Sequence, residues 1–99
     1  MPGFEGSGIV REAGPAVTGA RVGDRVLAFG GRPEFYAEYV AVSQGHVVLI
    51  PETLGWDSAA ALSVAPLLAW CCLRHLARLQ NGEKVLVWAA ASGVGDAAV

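Results

Sequence analysis

The sequence predicts a mixed α/β chain in three stretches: β-rich over residues 1–55, helical over 56–82, and a strand running into a helix over 83–99. Three observations carry that reading. Tyr36-Ala37-Glu38-Tyr39-Val40-Ala41-Val42 alternates with the period of two of a half-buried strand. Leu67, Trp70, Leu73 or Arg74, and Ala77 recur at helical spacing. Val85-Leu86-Val87-Trp88 is a short apolar run, continuous as a strand covered on both faces is, and small residues follow it at once.

Taken in order, Gly3, Gly6 and Gly8 punctuate the start, and Gly8-Ile9-Val10 begins a strand. Gly14-Pro15 marks a turn, and Gly23-Asp24 a second one. The apolar strand Val26 to Phe29 comes next, then a loop at Gly30-Gly31-Arg32-Pro33. After the alternating strand, Gln44-Gly45-His46 turns the chain into Val47-Val48-Leu49-Ile50, which Pro51 closes. Short strands at this spacing suggest a barrel or sandwich. Asp57-Ser58 precede a small-residue helix at Ala59-Ala60-Ala61-Leu62. Pro66 suits the first turn of a second helix, where its missing N–H costs nothing. Arg74, His75 and Arg78 fall toward that helix's C-terminal end, where cations suit the dipole, and Asn81-Gly82 is a stop signal. The β-rich and helical architectures meet near residue 60.

Composition narrows the function. The chain is 54% hydrophobic and 16% charged over 99 residues. So short a domain has little interior in which to hide that surface, so some of it is expected to meet a partner or further chain. A net charge of −2 argues against nucleic-acid or anionic-membrane binding. The longest near-apolar run, Ala59 to Leu73, is too short to span a bilayer and is interrupted at Ser63 and Pro66. No basic segment with a following apolar core stands at Met1, so no signal peptide is expected. Cys71 and Cys72 are adjacent, which is neither a metal spacing nor a redox pair, and they read as two thiols in a reducing cytoplasm.

The last stretch carries the chemistry. A strand, a tight turn of small residues (Ala89, Ala90, Ala91, Ser92, Gly93, Gly95) and a helix start form the first half of a dinucleotide-binding unit. Small residues let backbone N–H groups approach a pyrophosphate, and the helix N-terminus adds its positive end. Laid on G-x-x-G-x-x-G, the glycine places fall on Ala89, Ser92 and Gly95. Only one of the three is glycine, and an ordinary buried strand entering a helix through a flexible turn would read the same.

Five stretches in register resemble one family: Gly3-Phe4-Glu5-Gly6-Ser7-Gly8, Val22-Gly23-Asp24-Arg25-Val26, Tyr36-Ala37-Glu38-Tyr39-Val40, Ala59-Ala60-Ala61-Leu62, and Val85-Leu86-Val87 through Ala91-Ser92-Gly93-Val94-Gly95. The family is the medium-chain dehydrogenase/reductase superfamily, and within it the zinc-free quinone oxidoreductase, or zeta-crystallin-like, branch. The chain then resembles an internal fragment of such an enzyme. The resemblance implies a partial GroES-like β-barrel over 1–55, connecting helices over 56–82, and the first strand and turn of an NAD(P)-binding Rossmann domain over 83–99.

It also implies a function for the full-length protein: a homodimer in which NADPH, with NADH not excluded, delivers hydride to a quinone or enone. An enoyl-thioester reductase of fatty-acid or polyketide type is the alternative among enzymes. A non-catalytic fragment or GroES-like structural module is the alternative outside them, and for the 99 residues alone no catalysis is expected. The cofactor contacts implied are backbone contacts of Ser92, Gly93, Val94 and Gly95 with the pyrophosphate, and no catalytic residue is assigned. The zinc branch needs thiolate and imidazole donors. Phe4 stands at the histidine place and Ala65 or a neighbour at the cysteine place, so the resemblance implies no zinc.

Other residues read more plainly. Glu5 suits a structural hydrogen bond, and His46 and His75 are lone histidines in structural or surface roles. Tyr36 and Tyr39 suit packing, and Asp24 and Arg25 a turn and a salt bridge. Asp96 either caps the last helix or weakens cofactor binding beside the phosphate site. Leu68 departs from the threonine that many relatives carry near the nicotinamide.

Overall fold

A computed structural model describes residues 2–31 and 34–99. Arg32 and Pro33 of the expected loop, and Met1, lie outside the described residues. The chain divides into two units, Met1–Ser63 and Val64–Val99.

The first unit is built on its central strand. β1 (Glu5–Ile9), β2 (Arg25–Phe29) and β3 (Val47–Leu49) form an antiparallel sheet in the order β1-β2-β3. Ser7 pairs with Leu27 on one side of β2, and Leu27 with Val48 on the other. Successive side chains of a strand point to opposite faces. Val26 (8% exposed) and Leu27 (7%) are both buried, so β2 is covered on both faces. Helix α1 (Trp56–Ala61) packs on β1 and β2 and buries Ala59 completely.

Sequence periodicity places β2 and β3 within a residue, but β1 runs earlier than expected. It ends at Ile9 rather than beginning near Gly8. Gly6 lies inside the strand because Phe35 presses on it: a Cβ built there would stand 3.2 Å from the Phe35 ring. Of the glycines that read as punctuation, Gly3 and Gly6 lie against Tyr36 and Phe35, while a Cβ on Gly8 would meet nothing within 4 Å.

The alternating stretch 36–42 is not a strand. Tyr36 and Tyr39 are exposed, and the backbone bends there. Phe35 and Tyr36 donate their N–H groups to the carbonyls of Gly3 and Pro2 at 3.3 and 3.0 Å. Among the described residues no neighbouring strand continues that pairing along 37–42, and a ladder needs one.

The second unit packs short helices through small residues. Helix α2 (Val64–Trp70) meets α3 (Gly93–Ala98), and a Cβ on Gly93 would rest 3.5 Å from that of Ala65. Pro66 is the third residue of α2, inside its first turn. The buried residue of α2 is Ala69, while Leu67 and Trp70 are exposed. The expected apolar stripe is therefore not the face that packs, because close approach to α3 selects small side chains.

Beyond α2 the helix widens to a π-helical stretch, Cys71–Leu76. It ends well before Asn81-Gly82: Ala77 N–H reaches the Cys72 carbonyl (2.8 Å), Leu79 N–H reaches that of Leu73 (3.0 Å), and Arg78 turns to φ 53. The widened hydrogen bonds to the Cys72 and Leu73 carbonyls and the left-handed Arg78 end the helix before the glycine.

Residues 85–88, expected as a strand, carry no ladder among the described residues. Leu86 (78% exposed) and Trp88 (84%) face solvent. The reason is topological: the described residues of this unit contain no second strand. Among the described residues no helix is long and apolar enough to cross a membrane.

Candidate functional site

The turn after residue 88 closes on itself. Ala89 takes a left-handed conformation (φ 54), and its carbonyl accepts the Ser92 N–H at 2.9 Å. Ser92 is extended (φ −83, ψ 161) and is the N-cap of α3. Its Oγ accepts the Gly95 N–H at 3.1 Å, and its carbonyl accepts the Asp96 N–H at 2.7 Å. The first N–H groups of a helix have no intrahelical partner. The Ser92 side chain thus satisfies that of Gly95, its carbonyl takes the Asp96 N–H as the first ordinary helical bond, and the N–H groups of Gly93 and Val94 are left for another acceptor. The cap is Ser92; Asp96 lies exposed in the first turn and does not cap the helix.

Gly95 fixes how close the helix comes to the turn. It is buried, and a Cβ there would overlap the Ala89 carbonyl oxygen and lie 2.8 Å from the Ala90 Cα. No larger residue fits without moving the backbone. Beside the turn is an apolar groove of about 260 Å³, lined in part by Ala69, Cys72, Val85, Val87, Ser92 and Gly95. The four residues expected at a pyrophosphate are therefore contiguous, with different tasks. Ser92 and Gly95 shape the turn, while Gly93 and Val94 present donors. The residues fit an anionic group of that kind, since a small-residue cradle with two unspent amides at a helix start is chemically matched to phosphate oxygen.

The remaining candidates lie in settings of their own. Phe4 is exposed at the start of the first unit. Glu5 accepts the Ser63 hydroxyl hydrogen, and Ser63 is buried; this is the structural hydrogen bond read from the sequence. His46 packs beside Phe29, ring centroids 6.0 Å apart, and His75 meets Trp70 edge-on at 4.9 Å. Among the described residues no three His, Cys, Asp or Glu side chains cluster as metal ligands would. Cys71 and Cys72 are free thiols, Ala65 is half-buried, and Leu68 is exposed on α2.

Asp24 makes the expected turn, its carboxylate accepting the Arg21 N–H at 2.7 Å. Among the described residues Arg25 does not make the expected salt bridge. Its Nη2 donates to the Leu54 carbonyl at 2.6 Å, and its guanidinium lies 3.5 Å from the centre of the Trp56 ring. The carbonyl and ring face replace a carboxylate because the half-buried guanidinium meets the segment leading into α1. Nothing in the local sequence announces that contact. The Ser92 cap was missed, although serine directly before a helix start is a standard capping signal.

Comparison with known proteins agrees with the fold just described. Residues 1–52 match the alcohol dehydrogenase GroES-like domain. The chain is 46% identical over 101 residues to polyketide synthase GfsB of Streptomyces halstedii, covering 100% of this chain and 2% of that protein. Among solved structures, human synaptic vesicle membrane protein VAT-1 homolog-like protein matches with a TM-score of 0.94 and 40% identity, over 98% of this chain and 31% of that one. A quinone oxidoreductase of Pseudomonas syringae matches at 0.92 and 35%, over 98% and 30%. The CurK enoyl reductase matches at 0.90 and 37%, over 96% and 28%. The chain spans less than a third of the length of each of these proteins. With its GroES-like domain matched over residues 1–52 and its likeness to these structures running almost end to end, the chain belongs to the alcohol dehydrogenase GroES-like domain family of the medium-chain dehydrogenase/reductases.

Proposed function

We propose that the chain forms part of a zinc-independent, NADPH-dependent reductase that passes hydride to a quinone or an enone. The observation that carries this reading is the turn at 89–95, closed through Gly95 and offering the Gly93 and Val94 amides. When bound, the nicotinamide supplies the hydride. The chain's own part is to hold the pyrophosphate: Gly93 and Val94 donate to it, Ser92 keeps the helix start in order, and Gly95 lets the turn sit close beneath. Phe4 offers no donor to a metal, which supports chemistry without zinc. The 35% identity to a quinone oxidoreductase favours a quinone. A cytoplasmic homodimer is part of the same proposal.

A second reading has a specific observation behind it. Likeness to the CurK enoyl reductase, at 37% identity, favours an enoyl thioester, whose alkene is activated by its carbonyl as a quinone's is. Comparing kcat/KM of the full-length protein for a quinone and for an enoyl thioester separates the two.

The test of the site is Gly95→Glu in the full-length protein. The side chain has no room against the Ala89–Ala90 backbone, and its carboxylate would repel phosphate. Fluorescence titration with NADPH should show affinity falling by about 100-fold or more, equivalent to roughly 2.7 kcal/mol. Unchanged affinity would mean that the cofactor binds elsewhere.

A further inference from the structure

The second unit holds a cavity apart from the groove at the turn. It measures about 470 Å³ and is lined by Arg74, Arg78, Leu79, Gln80 and Asn81. We propose that it binds a phosphate group, held by the Arg74 and Arg78 guanidinium groups and the Asn81 amide.

Charge supports this first. The sequence holds no acidic residue between Asp57 and Glu83, yet Arg74, His75 and Arg78 fall within five positions. The chain as a whole is negative, so this is a local reversal. Both arginines are exposed, and among the described residues neither has an ion-pair partner. Cations near a helix C-terminus also suit the dipole. That role explains Arg74, but it does not require Arg78, which lies beyond the helix, to line the same cavity as Asn81.

The backbone brings these groups together and fixes them there. Arg78 turns the chain at φ 53, and Leu79 N–H is tied back to the Leu73 carbonyl at 3.0 Å. Gln80 Nε2 donates to the Arg78 carbonyl at 2.6 Å. The Glu83 carboxylate, the nearest acid along the chain, accepts the Gln80 N–H at 2.7 Å, so it is engaged with the loop backbone. The Asn81 side chain is without a hydrogen-bond partner among the described residues. Guanidinium forks match phosphate oxygens in pairs. Two forks carry a charge of +2, which suits a phosphate dianion better than a carboxylate. The phosphate could be the free ion or the terminal group of a larger molecule resting on Leu79.

The experiment is calorimetric titration of the purified full-length protein with inorganic phosphate and, separately, with phenyl phosphate, alongside NMR of the arginine Nε–H signals. The expected result is saturable binding with Kd on the order of 1 mM and shifts confined to Arg74 and Arg78. The double variant Arg74→Gln/Arg78→Gln should bind about tenfold more weakly, and Arg11→Gln should be unchanged. Phenyl phosphate binding more tightly than the ion would assign the site to an ester, and equal binding to free phosphate; either supports a phosphate site. A non-saturating response, shifts spread over all the arginines, or a double variant that binds as the parent does would overturn it. The NMR readout on the parent protein stands even if the double variant fails to fold.

Discussion

Strand β2 and residues 85–88 are nearly the same object in sequence and opposite objects in structure. Val26-Leu27-Ala28-Phe29 and Val85-Leu86-Val87-Trp88 are both four-residue apolar runs bounded by polar or small residues. The first has β1 and β3 on its two edges and is covered on both faces. Among the described residues the second has no strand on either edge, and its tryptophan is 84% exposed. β-propensity describes what a side chain gains on a pleated, packed surface, and it yields a strand only where neighbours supply that surface.

This contrast can be broken by paired substitutions. Leu27→Ala removes a buried side chain from the centre of the sheet and should cost about 3 kcal/mol. Trp88→Ala removes a larger side chain that contacts mostly solvent, and should change stability by less than about 0.5 kcal/mol. Urea denaturation of the 99-residue chain followed by circular dichroism measures both. Hydrogen exchange gives the same contrast amide by amide, with protection at 26–28 and rapid exchange at 85–87. If Trp88→Ala proved as costly as Leu27→Ala, or residues 85–87 were strongly protected, the run would be packed in solution and the contrast would fail.

A smaller effect is expected where the first unit ties its sheet to its helix. Arg25 donates to the Leu54 carbonyl and lies over Trp56, and its buried Nε has no partner among the described residues. The gain from the ring and the carbonyl is partly offset by that unsatisfied donor. Arg25→Ala should therefore cost about 1–2 kcal/mol, less than a charged hydrogen bond and a cation–π contact would total. Arg25→Met, which keeps the apolar stem over Trp56 and buries no donor, should recover about half of the loss. A Met variant as unstable as the Ala variant would assign the whole effect to the guanidinium.

What the sequence made legible divides along the same line. β2 was readable because Gly23-Asp24 and Gly30-Gly31 bound it and its apolar run is short. The start of α2 was readable because Pro66 tolerates only a first turn. Residues 36–42 misled because alternation records which faces a strand would show, not whether another strand lies alongside. The early end of the second helix was hidden because widening at 71–76 depends on hydrogen bonds to residues 77 and 79, and no residue type signals it. At the candidate site the small residues were visible in advance, but the cap was placed on Asp96 rather than on Ser92. The division of labour was not visible, because which N–H groups remain unspent is decided by the Ser92 side chain and carbonyl together.

The least costly test falls on the turn itself, at the place where the dinucleotide fingerprint has its first glycine. Ala89 occupies that place and is left-handed at φ 54. A non-glycine residue costs about 1–2 kcal/mol there, because its Cβ crowds the following carbonyl. Glycine would remove that cost but return about 0.5–1 kcal/mol through the greater freedom of the unfolded chain. Ala89→Gly should therefore stabilise the second unit by about 0.5 kcal/mol. Ala90, next along, is not left-handed, so Ala90→Gly meets only the entropic loss and should destabilise by a similar amount. Opposite signs at adjacent alanines are hard to obtain from anything but backbone conformation. Thermal denaturation of the two variants, with hydrogen exchange in α3 reporting on the turn's closure, gives both signs. If Ala89→Gly destabilised as much as Ala90→Gly, the turn in solution would not hold Ala89 left-handed, and its carbonyl would not be fixed to receive the Ser92 N–H.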